Sequence, residues 1–230
     1  MRVLGLLGGM SWESSIEYER TINELVRSAL GGASSADLII RSFNFADIER
    51  LQESGRWTEA GGLLGSEAKK LEVAGAEAIV LCTNTMHAVS DVIESMISVP
   101  LIHIADPTGE AIRSRGLSTV GLLGTRYTME HEFYADRLRK NWNLDVKVPD
   151  AADRASVHRV IYDELIQGIV SSDSRKMYLD VIERLVADGA QGIIAGCTEI
   201  ELLISQSDLD VPYFPTARVH AEAAAAFALS

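Results

Sequence analysis

The sequence has no long hydrophobic run, no cluster of basic residues, no tract of biased composition and only two cysteines. Each absence removes a class of function. The first apolar stretch, Val3 to Leu7, ends at Gly8-Gly9 and runs into Trp12-Glu13. That is too short for a signal-peptide core and far too short to span a bilayer, so a cytoplasmic protein without a membrane partner is expected. Lys and Arg number 21 against 33 Asp and Glu, a formal net charge of -12. Such a charge repels phosphate backbones and anionic lipid, so nucleic acid is not an expected partner either. The cysteines, Cys82 and Cys197, stand 115 positions apart, and in a reducing compartment they are not expected to form a structural disulfide.

What is present is an ordinary globular composition, 47% hydrophobic and 23% charged over 230 residues. That length suffices for one large domain or two small ones, either able to bury a core without disulfide or metal. Apolar runs bounded by small residues alternate with amphipathic stretches, the pattern of β-α repeats around a parallel sheet. It predicts strands over residues 3–7, 37–42, 78–81, 101–103, 119–123, 145–148, 192–195 and 211–214. It predicts helices near 14–29, 58–74, 85–96, 107–115, 130–140, 155–169, 175–188, 199–203 and 219–229. The fold class expected is doubly wound α/β.

The chain also resembles itself. Gly5-Leu6-Leu7-Gly8 recurs as Gly121-Leu122-Leu123-Gly124, and at the same offset Tyr18 answers to Tyr134. Gly75-Ala76-Glu77-Ala78-Ile79-Val80 recurs as Gly189-Ala190-Gln191-Gly192-Ile193-Ile194, with Cys82-Thr83-Asn84 answering to Cys197-Thr198-Glu199 after one inserted residue. Two matches in the same order imply a duplicated β-α unit. The expected lobes are residues 1–99 with 206–230, carrying Cys82, and residues 100–205, carrying Cys197, the last strand and helix completing the first lobe.

Each cysteine falls where a strand ends and a helix is predicted to begin, the edge of a parallel sheet at which ligands bind. Free backbone N–H groups and the helix dipole there are expected to favour thiolate over thiol. A lone cysteine beside a strand is more often a small buried hydrophobe; a symmetry-related pair is not. Facing lobes would set two sulfurs on opposite sides of one ligand. Inversion of a carbon centre needs that geometry, since a base removes the α-proton from one face and an acid returns one to the other.

Other two-cysteine chemistries fit less well. A zinc site needs further ligands, and His87 stands alone in the sequence, a helix-surface or packing residue. A redox centre would place its cysteines as Cys-x-x-Cys. The glycine-rich start matches neither Gly-x-Gly-x-x-Gly nor a Gly-Lys-Ser/Thr loop, and Asp37 is a weak ribose contact. Ser11 and Ser14 are better read as helix caps and neighbours of a small anionic ligand.

Three motifs, Gly8-Gly9-Met10-Ser11-Trp12-Glu13-Ser14, Cys82-Thr83-Asn84-Thr85-Met86-His87 and Gly196-Cys197-Thr198-Glu199-Ile200, make the chain resemble the aspartate/glutamate racemase family over its full length, most nearly its bacterial broad-specificity or acidic amino-acid racemases. The resemblance implies two Rossmann-like lobes related by pseudo-twofold symmetry, with an active site in the cleft between them. It implies no pyridoxal phosphate, no other cofactor and no metal, with Cys82 and Cys197 as acid and base. Thr83, Asn84 and Thr85 would hold the substrate's α-carboxylate, Thr198 and Glu199 would lie near its ammonium group, and Met10, Ser11 and Trp12 would line the cleft. It also implies an amino-acid substrate and a homodimer.

Aspartate-specific members of that family carry an Arg shortly after the second strand and a Lys four residues after the tyrosine of an Ile-Tyr-x-Glu-Leu segment. Here those places hold Asn44-Phe45-Ala46-Asp47 and Ile166. Gln52 is the candidate neutral substitute, set against a reading as a solvated loop residue. Two rivals stay open: a single-cysteine isomerase or decarboxylase of the same superfamily, and a non-catalytic amino-acid-binding protein.

Overall fold

Alternating strands and helices resolve into two four-stranded sheets, each wholly parallel, in a computed structural model that describes residues 1–230. The first sheet is built from β1 (Leu4–Gly8), β2 (Leu38–Ser42), β3 (Ala78–Leu81) and β4 (Leu101–Ile102), in the order β2-β1-β3-β4. The second is built from β5 (Thr119–Gly124), β6 (Asp145–Lys147), β7 (Ile193–Gly196) and β8 (Tyr213–Pro215), in the order β6-β5-β7-β8. The second order repeats the first. The helices are α1 (Trp12–Leu30), α2 (Phe45–Glu53), α3 (Trp57–Val73), α4 (Ser90–Met96), α5 (Ala105–Ser114), α6 (Arg126–Glu130), α7 (Glu132–Trp142), α8 (Ala151–Asp163), α9 (Ser172–Ala187) and α10 (Thr216–Leu229).

The central strands β1, β3 and β7 are buried at every position. A parallel strand covered on both faces reads as a continuous apolar run rather than an alternation, which is how these segments read. The duplicated glycines have duplicated reasons. A Cβ on Gly5 would lie 2.9 Å from Ile79 Cδ1 and 3.1 Å from Leu71 Cβ, and one on Gly121 would lie 2.9 Å from Ile193 Cδ1 and 3.0 Å from Leu185 Cδ1. Each central strand thus lets the helix before its neighbour, α3 or α9, pack directly on its backbone. Gly75 and Gly189 sit at φ +110° and +101° just past those two helices, a backbone region that excludes most side chains.

The division of the chain differs from the expected one. Compact units comprise residues 1–104 with 220–230, and residues 105–219. Leu101 pairs with Ile79, so β4 belongs to the first sheet; Tyr213 pairs with Ile193, so β8 belongs to the second and does not complete the first lobe. In each unit the segment after the third strand turns back to cover that strand's open edge. Of the last strand and helix only α10 returns to the first unit, from His220 onward, where Ala228 O accepts from Arg2 N at 2.8 Å and His220 Nδ1 meets Tyr18 Oη at 2.8 Å. No helix is long and apolar enough to cross a membrane.

The helical predictions needed correction. Helices α2 and α6 were not expected; α2 is nine residues long and buries only Ile48, Leu51 and Gln52, and α6 is five residues long. The segments after both cysteines begin as single turns of 3-10 helix, Thr85–Val89 and Thr198–Leu202, rather than as α-helices.

Candidate active site

In the first unit, the carboxyl ends of β1 and β3 bring two of the three motifs together. Cys82 N donates to Leu7 O at 2.9 Å, fixing the cysteine beside the turn that leaves β1. That turn folds onto the chain leaving β2: Gly9 has φ +85°, and a Cβ there would lie 2.3 Å from Phe43 O. Ser11 caps α1 as expected, its Oγ 3.5 Å from Ser14 N, and Thr125 caps α6 equivalently in the second unit, its Oγ1 3.3 Å from Thr128 N. Met10, Ser11, Asn84 and Thr85 are buried with Cys82, and Thr83 is half-buried. Trp12, in contrast, is 62% exposed.

In the second unit β7 delivers Cys197 into a small acidic constellation. Cys197 Sγ donates to Glu199 Oε2 at 2.9 Å, and Thr198 Oγ1 donates to the same oxygen at 3.0 Å. Glu199 is buried, Thr198 and Cys197 are half-buried, and Tyr178, fully buried nearby, has its hydroxyl pushed up first by burial and then by Cys197.

The expected lowering of both thiols is overturned. Burial pushes the Cys82 thiol up, and its Sγ reaches Val80 O at 3.7 Å. At Cys197 backbone N–H groups of Glu199 and Thr198 do favour thiolate, but burial, then the Glu199 charge and its hydrogen bond, push harder the other way. A five-residue 3-10 turn has too little aligned dipole to offset desolvation. Both groups rest as thiols.

His87 is not the isolated residue the sequence suggested. It is 1% exposed and packs 4.5 Å from the ring of His103 and 5.7 Å from that of His220. Ile104 N donates to its Nε2 at 3.2 Å, which leaves Nδ1 to donate to Thr83 O at 2.7 Å. It therefore ties the turn after Cys82 to the chain leaving β4, the packing role rather than the helix-surface one. His220 Nε2 correspondingly donates to Ile102 O at 2.6 Å. The sequence held no signal for this cluster, because its members come from distant segments. No group of three or more His, Cys, Asp or Glu side chains is arranged to hold a metal ion.

Gln52 lies on α2 at 4% exposure, which removes the solvated-loop reading. Of the side-chain cations nearby in sequence, Arg50 pairs with Asp47, while Arg41 donates to Glu67 Oε2 at 2.9 Å and stacks 4.5 Å over the Phe43 ring. Ile166 packs against the apolar core of the second unit.

Comparison with known proteins places these features in a family context. The profile described as Asp/Glu/Hydantoin racemase matches residues 7–224. A candidate Asp/Glu racemase of known structure from Yersinia pestis is 52% identical, with all of both chains covered and a TM-score of 0.95. An aspartate racemase homologue from Pyrococcus horikoshii OT3 is 32% identical, again over all of both chains, with a TM-score of 0.86. The broad specificity amino-acid racemase RacX of Bacillus subtilis (strain 168) is 22% identical over 152 residues, 63% of this chain and 62% of RacX.

Proposed function

The chain belongs to the Asp/Glu/hydantoin racemase family, and from that premise we propose that it is an amino-acid racemase that works without a cofactor, moving the α-proton between Cys82 and Cys197. The observation that carries the reading is topological. Both cysteines stand immediately after the third strand of sheets with the same strand order, Cys82 after β3 and Cys197 after β7.

The chemistry follows from the surroundings of each sulfur. Glu199 accepts from Cys197, so its carboxylate takes the thiol proton and leaves a thiolate when substrate enters. That thiolate removes the α-hydrogen and becomes a thiol again. Cys82, which burial keeps protonated, delivers its own proton to the opposite face and is left as thiolate. The roles exchange in the reverse direction, and a proton returned through Glu199 and solvent resets the pair. A thiolate formed in a dry site is a stronger base than one in water, which is the use of the raised thiols. In this proposal Thr83, Asn84 and Thr85 hold the α-carboxylate, Met10, Ser11 and Trp12 border the substrate, and Thr198 and Glu199 serve its ammonium group as well as Cys197. The same family relationship is the ground for a homodimer, for which light scattering of the purified chain is the test.

The decisive experiment follows α-hydrogen exchange and optical inversion of L- and D-amino acids in heavy water. Cys82→Ser and Cys197→Ser are each expected to lose inversion by about 10²–10⁴-fold, the scale of a lost general acid or base. No exchange across a broad panel would remove the racemase reading. One observation favours a second reading: only Cys197 has a carboxylate partner. A single-cysteine isomerase or decarboxylase would accordingly survive Cys82→Ser with full activity, and a binding protein would hold amino acids without turnover.

A further inference from the structure

We propose that Gln52 reads the far end of the substrate's side chain and selects amino acids ending in a hydrogen-bond donor, a hydroxyl or a carboxamide, over isosteric acids. The inference rests on the racemase reading and deepens it. Gln52 is 4% exposed, and its Nε2 donates to Met86 Sδ at 2.9 Å. A thioether sulfur can only accept, so the amide nitrogen must face it and the oxygen must face the other way. That oxygen, Oε1, is fully buried and has no partner. A buried acceptor left open in this way is costly and uncommon in a folded protein, and it asks for a group that arrives later.

The position of Gln52 suggests which group. Met86 belongs to the 3-10 turn that follows Cys82, and Met10 and Phe43, from the turns that leave β1 and β2, lie in the same apolar cluster as Met86. Gln52 therefore approaches the loops at the carboxyl ends of β1, β2 and β3 from the α2 side. A side-chain carboxylate brought there would meet the lone pairs of Oε1 in an apolar surround, and the cations nearby in sequence are already paired, Arg41 with Glu67, Arg50 with Asp47 and Arg56 with Glu59. A hydroxyl or an amide N–H would instead complete the hydrogen bond that the folded protein leaves open.

Matched pairs test this directly: asparagine against aspartate, glutamine against glutamate, serine against alanine. Exchange of the α-hydrogen in heavy water is measured for the wild type and for Gln52→Met, which keeps bulk and removes the acceptor. The wild type is expected to favour the donor-bearing member of at least one pair by about tenfold or more, and Gln52→Met to bring that ratio within about threefold of unity, as expected when a site built for a hydrogen bond loses it. Wild-type indifference, or preference for the acid or alanine in all three pairs, overturns the proposal even if the variant does not fold. So does a variant that melts lower but keeps the wild-type ratio, the sign of an oxygen satisfied by a trapped water. Should no amino acid exchange, the racemase reading fails by itself. Calorimetric binding of the same pairs then decides the role of Gln52: a donor preference lost in Gln52→Met supports it, and equal binding overturns it.

Discussion

At Cys197 one carboxylate has two opposing effects. Glu199 accepts the thiol's hydrogen bond, which makes it the acceptor for that proton, yet its charge and that same bond help to hold the thiol protonated. Glu199→Gln removes the charge and the acceptor together. The Cys197 thiol is therefore expected to titrate at lower pH in the variant, seen as thiolate absorbance in an ultraviolet titration, while exchange slows by about 10–10²-fold for want of the acceptor. A variant that titrates lower and turns over faster would show that the carboxylate only restrains the thiol. Cys82 offers a second test through stability. Its folded value is raised by burial, so the stability it contributes is fully present below the ordinary thiol value of about 8.5 and is lost as pH climbs from there toward the folded value. The melting temperature of the wild type should accordingly fall more steeply between about pH 8 and 9.5 than that of Cys82→Ala. Both cysteines were legible in the sequence as a symmetric pair, but their protonation was not. A strand-end position suggested helix-dipole activation, whereas the deciding quantity was desolvation, which depends on what the rest of the chain stacks around the sulfur.

Element-level legibility followed the length and periodicity of each segment. All eight strands were found, because buried parallel strands are short apolar runs with small residues at their ends. Helices α2 and α6 escaped because nine and five residues, with three and two buried positions, do not establish a helical period. The omission of α2 matters, since it is the element that places Gln52. The duplicated glycines give a prediction at this scale. Alanine at Gly5 or Gly121 must push aside Ile79 with Leu71, or Ile193 with Leu185, and each substitution should cost about 1–3 kcal/mol as overpacking, read as a lowered thermal midpoint. Equal losses would support one packing solution used twice; a neutral Gly121→Ala would show that α9 can give way.

Across the whole molecule, charge and connectivity act on different things. The excess of acid, net -12, makes the folded chain repel itself, while its exposed ion pairs, such as Arg20 with Glu24 at 3.2 Å, are screened by solvent and contribute little. Screening should relieve repulsion more than it weakens those pairs. The melting temperature is thus expected to rise by a few degrees when ionic strength goes from about 0.01 M to 0.15 M, where the Debye length falls from about 30 Å to 8 Å; a fall in calorimetry would mean that local pairs dominate. Connectivity was the larger surprise. A repeat in sequence located the two halves but not the crossings, because pairing of β4 with β3 and of β8 with β7 is a choice of edge that no local pattern encodes. The sequence by itself determined the alternation of strands and helices, the duplication, and the two cysteines at strand ends, since these are written in local periodicity and in spacing. Only the tertiary structure decided which edge each last strand closes, that three distant histidines gather behind the turn after Cys82, that both thiols rest protonated, and that Gln52 is buried with its oxygen open. Burial and long-range pairing are properties of what surrounds a residue, and the chain acquires those surroundings only when it folds.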